Sequence, residues 1–428
     1  MSFDLLDNYS LDNQPNFPER TMPIGFILRL AKALHTYGMT AYELEKNMKM
    51  VGEKLGFGVQ CFALPTSIIM SFSHPKEPEP KTYVFRVEPG DINLERQIQV
   101  DEVVEQVLKA EITIEEGARI LKVISTSPPN YDGLAIIAGF ALVSGAVARV
   151  FGGGLAEVSV AFIIGLVNGL MSLRVVRLEH AHFLFPTFAA LASALIAAIV
   201  AHFGYLGSLY IATLSGVIVL VPGLLLTTAI SELAMQHMVA GTARLMSAGT
   251  IFLQIGFGLA IGNHIGTTLL PASEVTQVFL FPEWTRWLAI LIASSGLYIL
   301  FQSRKQDYIW VLLAGMIAYS STLIGTQYLG AVMGSFMGAL ITGLAANAFE
   351  RIKNITRSVL LMPGIILLVP GSIGFQSLSL LVENNIIEGL DTAFKMSFVA
   401  IALVSGLLVS SLLLPPSNYI TPEQLEGD

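Results

Sequence analysis

From Asp132 onward the chain is a succession of apolar stretches, and this constrains its fold more than any other feature. They lie near 133–151, 158–175, 183–202, 207–230, 244–268, 285–302, 308–325, 329–348, 358–381 and 394–414. Each is about 17–25 residues long, the length a helix needs to cross the hydrocarbon core of a bilayer. A buried core helix explains one such stretch, but not ten in a row. In lipid every backbone N–H and C=O must be satisfied internally, which selects helices. The composition agrees, with 53% hydrophobic and 13% charged residues, where soluble domains carry about 25% charged residues. The 38 glycines suit close helix packing in lipid. The expected fold is a polytopic α-helical membrane protein of about ten spans.

Residues 21–130 read differently, as a small soluble α/β domain. Ile24, Ile27, Leu28, Ala31 and Leu34 recur at helical spacing, and Gly38 ends that helix. Thr40 with Glu43 makes a capping box for a second helix, closed by Gly56. Strand-like runs follow at 59–64, 66–72 and 82–88, the last two separated by a proline-rich turn. Asp101 is the expected cap of a third helix, and Thr113 with Glu116 opens a fourth. Ser127-Pro128-Pro129 ends the domain. The polar tail 1–20 has no basic region followed by an apolar one, which predicts a cytoplasmic start. An acidic tail occupies 417–428.

Charge gives an orientation. With the N-terminal domain inside, Arg174, Arg177, Arg244, Arg304, Lys305, Arg351, Lys353 and Arg357 all fall on cytoplasmic sides, as the positive-inside rule requires. The opposite loops are nearly free of Lys and Arg, with Arg149, Arg286 and Lys395 at span ends. Both termini are then cytoplasmic and the location is the cell inner (plasma) membrane. The net charge of -8 sits mostly outside the spans and points to no nucleic-acid partner. The single cysteine, Cys61, excludes an intrachain disulfide and a cysteine-rich metal site.

The fourth and ninth spans repeat each other. Gly216–Gly223 (GVIVLVPG) aligns without a gap to Gly364–Gly371 (GIILLVPG), and the same offset pairs Ser231 with Ser379, Leu233 with Leu381 and Gly241 with Gly389. The membrane part therefore reads as two five-helix units, 131–270 and 283–416. An odd number of spans inverts the second relative to the first, the plan of secondary transporters. Pro222 and Pro370 each remove a backbone donor, and Gly223 and Gly371 let the chain open. Such breaks in lipid are tolerated where they are buried or line a cavity. Gly216, Pro222, Gly223, Gly364, Pro370 and Gly371 are the candidate solute-binding positions; a pair of packing kinks without a ligand is the plainer reading. Half-helix ends offer partial positive charge on one side and carbonyls on the other. That matches a small zwitterion better than a dicarboxylate, which would want basic groups at the span centres.

Among polar residues in or near spans, Glu232 is the first proton-relay candidate, since an acid there is costly unless solvated or paired. A solvated helix end, or a pair with Arg244, would explain it equally. Glu157, after Gly152-Gly153-Gly154, is the second; stabilisation of a helix N-terminus is its plainer role. Asn168 is a candidate solute ligand, and Gln254, Asn263, Gln327 and Asn347 either bind solute or glue helices together. Glu179, His180 and His182 lie together in a loop with too few ligands for a metal site. The glycine run at 152–154 lacks the Lys-Ser/Thr of a phosphate loop and no Walker-type motif appears, so neither ATP coupling nor a cofactor is expected. No nucleophile with its base is identifiable in 20–126, so no catalytic residue is assigned.

The chain resembles the threonine/serine exporter family over nearly its full length. The likeness rests on Leu30–Gly38, Thr40–Gly56 and Leu64-Pro65-Thr66, and on Val221-Pro222-Gly223 followed by Ala229–Leu233 and Gly241. In the second unit it rests on Ala314-Gly315-Met316, Gly334–Gly343, Pro363-Gly364 and Leu368–Gly371. Some members carry the two units as separate proteins, whereas here they are fused. Where many members have Asp after the first Pro-Gly, this chain has Glu232, which keeps the charge. The resemblance implies proton-coupled efflux of L-threonine and L-serine. Two-subunit relatives are linked to succinate instead, so a small-dicarboxylate exporter is the alternative. Two further readings are a membrane-anchored enzyme or sensor acting through the N-terminal domain, and a channel. The implied partners are the lipid bilayer, a small solute and protons, and the layout is compatible with a homo-oligomer.

Overall fold

The computed structural model describes residues 22–88, 90, 92–175, 182–270, 273, 279–353, 355–368, 371–382 and 385–416. The tails 1–20 and 417–428, His180 and Pro370 lie outside the described residues. The chain divides into two compact units. The first holds the residues up to Pro129 together with Glu232–Ala243; the second holds Asn130–Ser231 and the chain from Arg244 onward.

In the first unit, helices α1 (Met22–Thr36) and α2 (Ala41–Lys54) precede an antiparallel sheet of β1 (Gly58–Leu64), β2 (Ser67–His74) and β3 (Glu77–Arg86), in the order β1-β2-β3. Helices α3 (Leu94–Leu108) and α4 (Ile114–Thr126) follow. Alternation along β2 sends Ile68, Met70 and Phe72 into a core with Phe26, Leu30 and Leu44. Pro78 and Pro80 fall in β3, an edge strand, where a missing N–H disturbs least. Gly38 and Gly56 both adopt the left-handed backbone that ends a helix. Thr113 accepts from the Glu116 amide, as its capping box requires. Asp101 is not a cap, because α3 starts earlier, at Asn93, whose side chain accepts from the Arg96 amide.

In the second unit come α5 (Gly133–Val150), α6 (Leu155–Val175), α7 (Phe185–His202), α8 (Leu209–Val217, continued as a tighter turn to Leu220), α9 (Gly223–Ala234) and α10 (Met238–Leu269). They are followed by α11 (Thr285–Leu300), α12 (Tyr308–Leu329), α13 (Ala331–Lys353), α14 (Arg357–Leu368), α15 (Gly371–Val382) and α16 (Ile386–Leu413). Among the described residues eight helical segments are long and apolar enough to span a membrane, one of them Arg357–Leu381; the bent α8–α9 pair makes a ninth. The sixth expected span is the shorter apolar helix α11, of 16 residues. The chain is therefore a multi-pass helical membrane protein.

Small residues let these helices approach. Gly258, Gly262 and Gly266 of α10 meet Thr187, Ala194 and Ala198 of α7, and a Cβ at Gly258 would lie 2.2 Å from the Thr187 carbonyl. The offset between the matching Pro-Gly segments also relates the helix limits. Adding 148 residues carries Leu209 to Arg357, Leu220 to Leu368, Gly223 to Gly371, Ala234 to Val382 and Met238 to Ile386, the bounds of α14, α15 and the start of α16.

Candidate functional site: a cavity beside the broken helices

Sequence dictates the break after α8. Ser208 caps its start by accepting from the Ile211 amide at 3.2 Å. Pro222 cannot donate, and it forces the preceding residue out of the helical region; Val221 accordingly sits at φ -63°, ψ 123°. The Pro222 carbonyl then accepts from Leu226 at 3.0 Å and starts α9. The two pieces meet at 57°. Val221 lies against the corresponding glycine of the second unit: a Cβ on Gly371 would stand 2.7 Å from Val221 Cγ1. Tyr210 and Phe375 meet with ring centroids 5.8 Å apart, and Leu214, Val217 and Phe375 share one core cluster. On the other side of the break, Leu224 packs on Leu360, Leu361 and Ile365 of α14. The α8 half of the broken span thus packs against α15 and the α9 half against α14, an antiparallel crossing.

A cavity of about 220 Å³ opens beside this crossing, lined by Leu209, Tyr210 and Thr213 of α8, Leu259 and Asn263 of α10, and Phe375 and Ser379 of α15. The Thr213 hydroxyl donates to the Leu209 carbonyl at 2.8 Å, leaving its lone pairs able to accept. Among the described residues the lining holds aromatic faces, hydroxyls and one carboxamide, and no charged side chain. Such a wall can offer a small polar solute neutral hydrogen bonds and aromatic contact.

The two acids singled out in the sequence are both buried and both grip backbone amides. Glu157 Oε2 accepts from the Gly154 amide at 2.8 Å, the return bond of a capping box, with Glu157 as the third residue of α6. Its Oε1 accepts from Gly207 at 2.8 Å and Ser208 at 3.0 Å, in the turn that starts α8. One carboxylate therefore ties the beginnings of two helices together. Glu232, near the end of α9, is fully buried within the first unit. Its Oε1 accepts from the Ala41 amide at 3.0 Å, the first amide of α2. The expected Thr40–Glu43 capping box takes a different form, because Thr40 donates to Glu43 Oε2 at 2.7 Å and Glu232 satisfies the α2 terminus instead. Glu232 is thus buried rather than solvated at a helix end. Beside it, His237 Nδ1 lies 3.5 Å from Glu45 Oε2, and Ala240 enters the first unit's core.

Asn168 is fully buried and donates to the Gly216 carbonyl at 3.0 Å and to Ser193 Oγ at 3.2 Å. It fastens α6 and α7 to α8 and is not part of the cavity lining. Gly216 is pressed on Ile164, and Gly364 on Thr342; a Cβ would come within 2.4 and 2.6 Å of those side chains. Pro222 and Gly223 sit at the break and, like Gly371, are not among the cavity's lining residues. The sequence did not single out Tyr210, Thr213, Phe375 or Leu259, and Ser379 was visible only as the repeat partner of Ser231. It also passed over Asp307, a buried acid at the start of α12.

Comparison with known proteins agrees with this architecture. Residues 25–266 match the family described as "Putative threonine/serine exporter", and residues 286–413 match "Threonine/Serine exporter, ThrE". Pheromone-regulated membrane protein 10 of Eremothecium gossypii is 25% identical over 416 residues, covering 91% of this chain and 56% of that protein. The protein of the same name from Kluyveromyces lactis is 26% identical over 417 residues, covering 91% of this chain and 43% of its own. The chain spans about half the length of these curated relatives. No solved structure matches.

Proposed function

Because the chain belongs to the threonine/serine exporter family, we propose that it is a secondary-active exporter of small amino acids, L-threonine and L-serine foremost, driven by the proton gradient across the plasma membrane. The observation that carries this reading is the cavity between α8, α10 and α15, beside the broken α8–α9 span. Its neutral, hydroxyl-rich lining suits a small solute with a hydroxyl and offers no cation to hold a second carboxylate. That favours the amino acid over succinate. The shared offset of 148 residues between α8–α10 and α14–α16 supports an inverted repeat, which an anchored enzyme would not need.

In this reading the broken fourth span is held at both ends by acids. Glu157 secures the start of α8 and Glu232 the end of α9. An ionised carboxylate only accepts hydrogen bonds; protonation weakens that capacity and adds a donor facing a donor. A proton reaching either acid loosens that end of the span, which gives the gradient a route into the transport cycle. The first unit lies in the cytoplasm, with both chain termini. Flux of labelled L-threonine, L-serine and succinate from proteoliposomes, with and without an imposed pH gradient, tests the proposal. Gradient-stimulated movement of the amino acids is expected. Gradient-independent flux would remove proton coupling, and succinate movement alone would replace the substrate. Glu232→Gln should abolish gradient stimulation with membrane insertion intact.

A further inference from the structure

The cavity is built on three helices whose limits recur 148 residues along the chain, with α9 standing for α15 in the first repeat. Applied to the cavity lining, the offset carries Leu209, Tyr210 and Thr213 to Arg357, Ser358 and Leu361, and Leu259 and Asn263 to Leu407 and Ser411. In the reverse direction it carries Phe375 to Thr227. These equivalents come from α14, α16 and α9, three helices that the chain would have no local reason to bring together. They do meet. Arg357 Nη2 donates to Ser411 Oγ at 3.3 Å, joining the start of α14 to the end of α16. Leu361 is buried in one cluster with Leu360 and Ile365, against which Leu224 of α9 and Leu407 of α16 pack. Thr227 is buried, its hydroxyl turned back to the Gly223 carbonyl at 3.2 Å.

The two sets lie at opposite ends of the crossing. The cavity uses the start of α8 with Phe375 and Ser379 of α15, and its counterpart uses the start of α14 with Thr227 of α9. At one end the residues enclose about 220 Å³; at the other, the equivalent apolar residues pack on each other. Between them Val221 and Gly371 are in contact. In an inverted repeat, a site open at one end and packed at the other is a starting point from which the two ends can exchange roles.

We propose that Arg357, Ser358, Leu361, Thr227, Leu407 and Ser411 form a second solute vestibule, opening when the first closes, in which Arg357 receives the carboxylate of the solute. The proposal rests on the transport reading and deepens it. The vestibules differ in one chemically decisive place, since a guanidinium stands where the open cavity has Leu209. Arg binds carboxylates by paired charge-assisted hydrogen bonds. The hydrogen bond from Arg357 to Ser411, a neutral group, is one that a carboxylate can replace. The open cavity, lacking such a cation, is suited to letting the same solute go. The pair of vestibules is thus asymmetric in the direction of export, with capture on the Arg357 side and release on the Thr213 side.

The test measures concentration dependence of L-threonine flux from each side of oriented proteoliposomes holding the full chain. L-threoninamide, which lacks the carboxylate, and succinate serve as further probes. Arg357→Gln is expected to raise the half-saturating L-threonine concentration about tenfold or more on the Arg357 side. On the Thr213 side it should change less than about twofold, and L-threoninamide should be insensitive on both. Arg357→Lys keeps the charge without the fork and should fall between. If Arg357→Gln inserts poorly, Ser358→Cys and Thr213→Cys, each in a Cys61→Ser background, should react with an impermeant maleimide from opposite sides, with L-threonine slowing both. Equal effects of Arg357→Gln on both sides, or labelling of both cysteines from one side, overturn the proposal. A wild-type protein that moves none of the carboxylate probes overturns the transport reading itself.

Discussion

Replacing Glu157 by alanine tests whether a single carboxylate organises the approach to the cavity. The structure gives it three buried or half-buried backbone donors: Gly154 on one side, and Gly207 and Ser208 on the other. Alanine strands all three, and each unsatisfied buried amide costs about 1–3 kcal/mol. Bonds to an ionised acceptor sit toward the upper end of what hydrogen bonds contribute. Water entering the space lowers the total, so we expect a loss of about 3–5 kcal/mol, set against a total stability of about 5–15 kcal/mol for a folded domain. Glutamine behaves differently. Its carbonyl can keep Gly207 and Ser208, but its NH2 faces the Gly154 amide donor to donor, so a loss of about 1–3 kcal/mol is expected. Aspartate, one methylene shorter, should keep one side of the bridge only. The assay is thermal unfolding of detergent-solubilised protein, alongside L-threonine flux. The expected order of stability is wild type, then Gln, then Ala, with the Ala variant losing flux through the misplaced start of α8. Alanine and wild type melting together would refute the reasoning, whatever the flux.

Three further outcomes follow from packing and burial. Gly258→Ala puts a Cβ against the Thr187 carbonyl, 2.2 Å away, and should cost about 1–3 kcal/mol, read as a lowered melting temperature. Gly371→Ala should impair flux by pressing on Val221, with Val221→Ala restoring it in the double variant; simple additivity would separate the two positions. Burial and the neighbouring Glu45 push the Cys61 thiol up to about 12. Its alkylation in the folded protein should therefore be slow at pH 8 and climb steeply only above the usual thiol range, whereas urea-unfolded chain reacts readily at pH 8; a fast reaction in the folded state contradicts that environment.

What could be read in the sequence divides by the range of the physics involved. Span positions follow from local hydropathy, and all ten find a helix or a broken helix in the structure. The break at Pro222 was equally legible, because proline acts on its own neighbours. Caps were legible where both partners are local, as at Thr113. They failed where a distant residue intervened: Glu232, 191 residues away, replaced the expected box at Thr40. Asn93 was missed as a cap because Asp101 gave the stronger local signal. The cavity wall was the least legible. Tyr210, Thr213 and Phe375 look like ordinary residues of apolar helices, and only the crossing of the two spans brings them together. Asn168 carries a polar signal of similar strength to that of Asn263, yet one fastens helices and the other lines the cavity.

The placement of Glu157 and Glu232 bears on why acids sit at these two points. A glutamine could keep part of each tie through its carbonyl without burying a charge. A carboxylate is the costlier choice in an apolar setting. It differs from a neutral acceptor in one property: its strength as an acceptor depends on a proton. At Glu157 that dependence acts on Gly207 and Ser208, and so on the first turn of α8, whose Leu209, Tyr210 and Thr213 form one wall of the cavity. At Glu232 it acts on the first amide of α2, and so on how the last turn of α9 is held. The tied elements lie on either side of the Val221–Gly371 contact along the same broken span. If the ties are only structural, Glu157→Gln and Glu232→Gln lower stability and leave the pH dependence of flux in its wild-type form. If they carry the coupling, each flattens that dependence beyond what its loss of stability explains, and the two together flatten it no further than the stronger one alone.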